Sequence, residues 1–138
     1  MAGTTRGRLV RINEVVLDQA DFFQSDGFTR VTGLTTLNVT GALFFENMPQ
    51  PWTYVSGVGV TPTQVAAGKV YFNEIPGSSG YYAVMFMPNA IGYWRLILTY
   101  TAGQQILGQD YDVTETGLQD GNTVVTSFVK PGGNAGGC

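Results

Sequence analysis

The sequence predicts an all-β protein, a β-sandwich of about seven to nine strands with an extended N-terminal arm and a flexible Gly-rich C-terminal tail. Three observations predict it. Many of the 19 Gly residues separate short apolar runs. Val, Thr, Tyr and Phe are frequent, as strands prefer, and stripes of helical period are almost absent. The 138 residues favour one domain with an ordinary core.

The first part of the chain, residues 1–28, is predicted to be an N-terminal arm. Within it, residues 8–17 (RLVRINEVVL) read as a strand or an extended arm, and residues 18–25 (DQADFFQS) as a helical turn. Phe22 and Phe23 are interpreted as anchors that hold this segment onto a neighbouring surface. Asp-Gly after this segment marks a turn.

The rest of the chain divides into a sandwich domain, residues 29–130, and a tail, residues 131–138. The tail, PGGNAGGC, is too rich in Gly to hold structure alone. Apolar and alternating segments predict strands at 36–45, 53–60, 64–67, 68–75, 105–115 and 122–129, with two more between residues 80 and 100.

Residues 80–100, GYYAVMFMPNAIGYWRLILTY, alternate with period two, which is the signature of strands. One face of each strand is predicted to form the core: Tyr82, Val84, Phe86, Trp94, Leu96, Leu98 and Tyr100. The reverse faces carry Met85, Met87, Tyr93, Arg95 and Ile97. These are either ordinary exposed side chains of a sandwich or a contact with another subunit. We take the second reading and add Trp52, which lies beside prolines in a loop, and Phe22 and Phe23.

The frame of these strands is Gly80-x-Tyr82-x-Val84-x-Phe86-x-Pro88-x-x-x-Gly92-x-Trp94-x-Leu96-x-Leu98-x-Tyr100. It resembles the late strands of immunoglobulin-like sandwich repeats of the filamin type. In those repeats, too, the last core tyrosine precedes a Gly turn and a final strand, here TAGQQILGQDYDV. The resemblance covers about a third of the chain and implies an immunoglobulin-like β-sandwich, a fold that many functions share.

The layout of arm, single domain and Gly-rich tail is also similar to small virion proteins of tailed phages. That resemblance implies a non-enzymatic, multi-copy structural protein of the virion, assembled in the host cytoplasm, that joins or stabilises neighbouring virion subunits. The implied partners are copies of itself and other virion proteins: portal or adaptor, tail or major capsid protein. The expected position is the head–tail neck or collar, with a capsid decoration or cement protein as the alternative. A carbohydrate- or receptor-binding module of a fibre is an alternative of another class.

Composition argues against several other functions. The net charge is −3 with scattered Lys and Arg, which gives no basic footprint for nucleic acid. No apolar run approaches the roughly 18 residues of a membrane helix. The chain contains no His, the commonest general base and metal ligand, so its serines lack their usual activator. We therefore expect no enzyme activity, no cofactor, no nucleic acid and no membrane partner.

For each of four features of the sequence, two interpretations remain open. Asp110, Asp112 and Glu115 are either oxygen ligands for calcium or, as we expect, charges of an edge strand. Arg95 either bridges to a carboxylate of a neighbouring subunit or stacks on Tyr93, or it is solvated. The only Cys, Cys138, is either an intermolecular disulfide or a free thiol. Five aromatic residues form either a sugar-stacking platform or, for Trp94 at least, core: Trp52, Tyr54, Tyr81, Tyr93 and Trp94.

Overall fold

The computed structural model describes residues 7–117, which fold as a sandwich of two mixed β-sheets. The prediction of an all-β sandwich with seven to nine strands is confirmed. The nine strands, in chain order, are β1 (Arg8–Arg11), β2 (Val16–Ala20), β3 (Val39–Phe45), β4 (Met48–Pro49), β5 (Thr53–Ser56), β6 (Lys69–Glu74), β7 (Tyr82–Phe86), β8 (Gly92–Tyr100) and β9 (Gln105–Thr114).

The five-stranded sheet has the order β1-β9-β8-β3-β4, and the four-stranded sheet has the order β2-β7-β6-β5. The neighbours β9-β8-β3 and β2-β7-β6 correspond to strands G-F-C and B-E-D of immunoglobulin sandwiches. Two pairs are parallel, β1 with β9 and β5 with β6. The first described strand therefore lies beside the last described strand, and the β8–β9 hairpin lies in the centre of the larger sheet.

Every second side chain along the strands points inward, and the inward-facing side chains of the two sheets pack together in one core. All seven residues predicted to face inward from residues 80–100 take part in it, with Tyr100 packed at its margin. One part of the core centres on Trp94 and Phe86, whose rings lie 6.3 Å apart. The other part centres on Phe72 and Tyr82, whose rings stack at 5.4 Å. Burial of these large rings is the main stabilising term that the fold offers.

The segment predicted as an arm belongs to the sandwich over its described part. Strand β1 pairs with Tyr111–Thr114 and β2 pairs with β7 along its whole length. The helical turn predicted for residues 18–25 is wrong, because Val16–Ala20 is a strand. Its alternation is visible in retrospect: Val16 and Ala20 are buried, and Leu17 between them is half exposed. Asp18 and Gln19, which lie within this strand, obscured that pattern.

A third layer covers the outer face of the four-stranded sheet. The connection from β5 to β6 crosses this face, because parallel neighbours require a crossover. Val65 and Val60 of the crossover pack there with Tyr71 and Met85. The strand predicted at residues 64–67 is wrong: Pro62–Gln64 forms one turn of 3₁₀ helix, begun by Thr61, whose N–H bonds to the side chain of Gln64.

Some sequence predictions lie outside the described residues: the strand at 122–129, the tail at 131–138 and any crosslink through Cys138. Within the described part, the chain has no helix of the length and apolarity that a membrane span would need.

Candidate functional site

Three of the residues predicted to contact another subunit are buried within this chain. Phe22 is 0% exposed, and Met85 and Tyr93 are each 4% exposed. Phe22 lies between the sheets, where its ring meets Tyr82 edge-on at 5.7 Å. Met85 lies under the β5–β6 crossover. Because these side chains are covered by their own chain, they present no surface to a partner.

The other predicted contact residues are partly accessible. Trp52 is half-buried against the rings of Trp94, at 5.4 Å, and Phe86, at 6.5 Å. Arg95 is exposed, but its Nε donates to Asp110 Oδ1 at 2.7 Å in the same chain, which raises the pKa of Arg95. Arg95 therefore pairs with a carboxylate of its own chain and not with one of a neighbouring subunit. The remaining predicted contacts, Phe23, Met87 and Ile97, are half-buried.

The described side chains are not arranged as the sugar-stacking platform or as the calcium site that the sequence left open. Trp94 and Tyr93 are buried, and the guanidinium of Arg30 lies 3.8 Å above the ring of Tyr81. Three of the five aromatic residues proposed for the platform are thus covered, at least on one face, by the protein itself. Among residues 7–117, no group of three or more His, Cys, Asp or Glu side chains is placed to hold a metal ion.

The connection between β2 and β3 is the candidate contact site. It comprises residues 21–38, far longer than the two to six residues that usually join strands. It carries the two most exposed large apolar side chains of the described residues, Leu37 at 93% and Phe28 at 77%. Long ordered connections of this kind commonly carry function.

The turn below Phe28 is built by one carboxylate. Asp26 Oδ1 accepts hydrogen bonds from the backbone N–H groups of Phe28 at 3.0 Å and Thr29 at 2.8 Å. Asp26 Oδ2 accepts a third from the hydroxyl of Thr29. All three bonds lower the pKa of Asp26, and the bond from the Thr29 hydroxyl has the largest effect. Gly27, at φ +82°, supplies the left-handed conformation that the turn needs.

Arg30 ties the base of this turn to the sandwich. Its guanidinium donates to Asp21 at 2.6 Å and lies over the rings of Tyr81, at 3.8 Å, and Phe23, at 5.3 Å. The bond to Asp21 raises the pKa of Arg30. Gly80 is required here because a side chain at that position would collide with Arg30. The residue before Phe23, Phe22, enters the core, so the turn is anchored at both ends.

The second half of the connection is fixed in the same way. Leu34 is 6% exposed, and its N–H donates to the hydroxyl of Tyr82 at 3.1 Å. That hydroxyl donates in turn to the carbonyl of Val31 at 2.8 Å. Next, Asn38 Oδ1 accepts from the N–H of Thr35 at 2.9 Å, and Thr35 Oγ1 accepts from the N–H of Leu37 at 3.1 Å. Leu37 is therefore held in solvent by an ordered turn.

Sequence reasoning missed both exposed residues. The strand predicted at 36–45 would have given Leu37 an ordinary place in a sheet, but β3 begins at Val39. The signal that could have found the site is the pair of capped turns, Asp26-Gly27 and Thr35 with Asn38, on either side of buried Leu34.

Comparison with models of known protein families finds no match to this chain, and comparison with curated proteins finds none. The function proposed below therefore depends on the geometry of the described residues and on the resemblances of the sequence.

Proposed function

We propose that this chain is a non-enzymatic structural subunit, present in many copies, that binds copies of itself through the connection at residues 21–38. The observation that supports this most is the exposure of Phe28 and Leu37 on a connection that hydrogen bonds hold rigidly. Large apolar side chains that an ordered backbone holds in solvent are suited to fill pockets on a partner.

The rigidity of the connection favours affinity. A contact formed by a mobile loop must offset the entropy lost when the loop becomes ordered. Here Asp26, Arg30 and Leu34 already fix the backbone on both sides of the exposed residues. Phe28 and Leu37 are thus suited to serve as preformed anchors for pockets on a neighbour.

The setting that we propose is a tailed-phage virion, at the head–tail neck or collar, with portal, adaptor or tail proteins as further partners. The support is the similarity of the sequence, with its single domain and Gly-rich C-terminal segment, to small virion proteins of tailed phages, together with its low content of charged residues, 12%. A contact between the connection of one copy and a different surface of the next is head-to-tail, and such contacts form a ring when the rotation from copy to copy closes. A capsid decoration protein is the alternative position.

Sedimentation velocity of the purified full chain over a series of concentrations tests the proposal. We expect species larger than the monomer whose fraction grows with concentration. A chain that stays monomeric at every concentration would contradict self-assembly through this surface.

A further inference from the structure

The end of the sandwich opposite the connection at residues 21–38 carries a second group of accessible apolar side chains. Strand β3 starts directly after that connection and ends at Phe45. Met48 pairs with Phe45 across the β3–β4 hairpin, so the two side chains lie on the same face of the sheet. Met48 is 66% exposed, and Ile91, which directly precedes β8, is 51% exposed. Together with Phe45 and Trp52, which are half-buried, they form the surface that we call the end patch.

Packing against the core holds the end patch in place. The ring of Phe45 lies 4.8 Å from that of Trp94, and the ring of Trp52 lies 5.4 Å from it. The indole N–H of Trp94 donates to the carbonyl of Ala90 at 2.9 Å, which fixes the loop that carries Ile91. The residue after Ile91 is a glycine at which a side chain would collide with the Phe45 ring. The end patch is therefore preformed, so a partner that covers it orders little further chain.

The end patch and the two exposed anchors lie at opposite ends of the molecule. Tyr100, the last residue of β8, packs against Phe22 at the root of the connection. Ile91 lies beyond the first residue of β8, and nine strand residues span about 27 Å. Because hydrogen bonds hold both ends rigidly, a chain cannot bring its own anchors to its own end patch, whereas a second copy can.

The two ends also carry opposite charges beside their apolar side chains. Asp26, two residues before Phe28, is exposed, and the bonds within its turn favour its ionised form. Lys69 is exposed beside the end patch, where it pairs with Thr53, the residue after Trp52. Within residues 7–117, all four Arg form ion pairs and Lys69 forms none. Opposite charges next to apolar groups on the two ends favour docking of one end on the other.

We propose that the end patch of one copy receives Phe28 and Leu37 of the next copy. Asp26 then lies opposite Lys69. This inference rests on the proposed function, because it names the surface that the connection contacts. Trp52 is suited to the centre of the contact, since Trp is enriched where interfaces gain most of their binding energy. The contact is head-to-tail, so each copy offers one pair of anchors and one end patch.

Substitution within the end patch tests the proposal. Met48→Ser/Ile91→Ser removes its two exposed side chains. The matched control is Val58→Ser/Leu17→Ser, which removes two side chains of similar exposure, 73% and 50%, elsewhere on the surface. In sedimentation velocity, the patch variant should assemble only at concentrations at least about tenfold higher than the unmodified chain requires. The control should assemble like the unmodified chain, and unfolding midpoints establish that both variants are folded.

A mixing experiment tests which surfaces meet. Phe28→Ser/Leu37→Ser keeps an intact end patch, and Met48→Ser/Ile91→Ser keeps intact anchors. At concentrations where each variant alone is monomeric, an equimolar mixture should form a dimer with one copy of each variant. The dimer should not grow further, because only one intact pair of anchors and one intact end patch meet in it.

The outcomes separate this inference from the function on which it rests. If Phe28→Ser/Leu37→Ser impairs assembly but the folded patch variant assembles like the unmodified chain, the end patch is not the receiving surface, and only this inference is overturned. A mixture that forms no dimer would overturn it in the same way. If neither variant impairs assembly, or if the unmodified chain is monomeric, the proposed function fails and this inference fails with it.

Discussion

The carboxylate of Asp18 in β2 accepts a hydrogen bond from the hydroxyl of Tyr111 in β9, at 2.5 Å. The bond joins the two sheets at one edge of the sandwich. The second oxygen of Asp18 receives the guanidinium of Arg8, also at 2.5 Å, so three strands meet at one carboxylate. Tyr111 is fully buried, and this burial, reinforced by Asp18, raises the pKa of its hydroxyl.

Asp18→Ala is expected to lower the free energy of unfolding by about 1.5–3 kcal/mol, since a buried hydroxyl loses its charged acceptor. Urea denaturation measures the loss. Glu115→Ala, at an exposed site just beyond β9, is the control and should change stability by less than about 0.5 kcal/mol. In the double variant Asp18→Ala/Tyr111→Phe, the loss of unfolding free energy should be smaller than the sum of the losses in the two single variants. The reason is that without the Tyr111 hydroxyl no buried donor is left unpaired when the Asp18 carboxylate is removed. Strict additivity would show that the two groups do not interact.

Phe22→Ala is expected to destabilise the monomer by about 3–5 kcal/mol, because the ring is 0% exposed and packs edge-on against Phe72, Tyr82 and Tyr100. Thermal and chemical unfolding check this. The adjacent half-buried residue supplies the control: Phe23→Ala should cost clearly less. A Phe22→Ala protein of unchanged stability but weaker self-association would instead favour the interface role predicted from the sequence.

Gly41→Ala is expected to cost about 1–3 kcal/mol, since the new methyl group would lie 2.7 Å from the ring of Tyr54. That ring cannot move freely, as its hydroxyl donates to the carbonyl of Val39 at 2.7 Å. In a Tyr54→Ala background the obstacle is gone, and the same substitution should cost almost nothing more. An equal cost of Gly41→Ala in both backgrounds would point to a different source of strain.

The free energy of unfolding should decrease at alkaline pH. Burial raises the pKa values of Tyr54, Tyr82 and Tyr111, so their neutral forms are favoured in the folded state. This contribution is complete below the unfolded tyrosine pKa of about 10 and is lost as the pH rises above it. Urea midpoints measured between about pH 8 and pH 11 should therefore decline, with tyrosinate absorbance appearing as the chain unfolds. Tyr111→Phe should flatten the decline, and a midpoint constant to about pH 11 would refute the linkage.

The sequence was sufficient to predict which side chains of β7 and β8 form the core, but not which segments cover the outer faces of the sheets. Period two in β7 and β8 identified Tyr82 and Trp94 as inward-facing, because alternation is a local property of strands. The same reasoning assigned Met85 to a contact with another subunit, because its partner Val65 lies in an irregular crossover that has no periodic signature. Burial by a distant connection is a long-range property, and local patterns do not encode it.

The candidate site was hidden for a related reason. Leu37 follows Thr36 in a run that reads as a strand, and only the turn bonds of Thr35 and Asn38 move it into solvent. Exposure of Phe28 depends on the local turn bonds of Asp26 and on Arg30, whose partner Tyr81 is distant in the sequence.

The central claim is that the connection at residues 21–38 forms the contact between subunits, and paired substitutions test it most directly. Phe28→Ser/Leu37→Ser removes both exposed anchors. Val58→Ser, 73% exposed on the β5–β6 crossover, is a control of similar exposure elsewhere. In sedimentation velocity, the double variant should shift assembly to at least about tenfold higher concentration while its unfolding midpoint stays unchanged. The control should assemble like the unmodified chain. Unaltered assembly of a folded double variant would contradict the account.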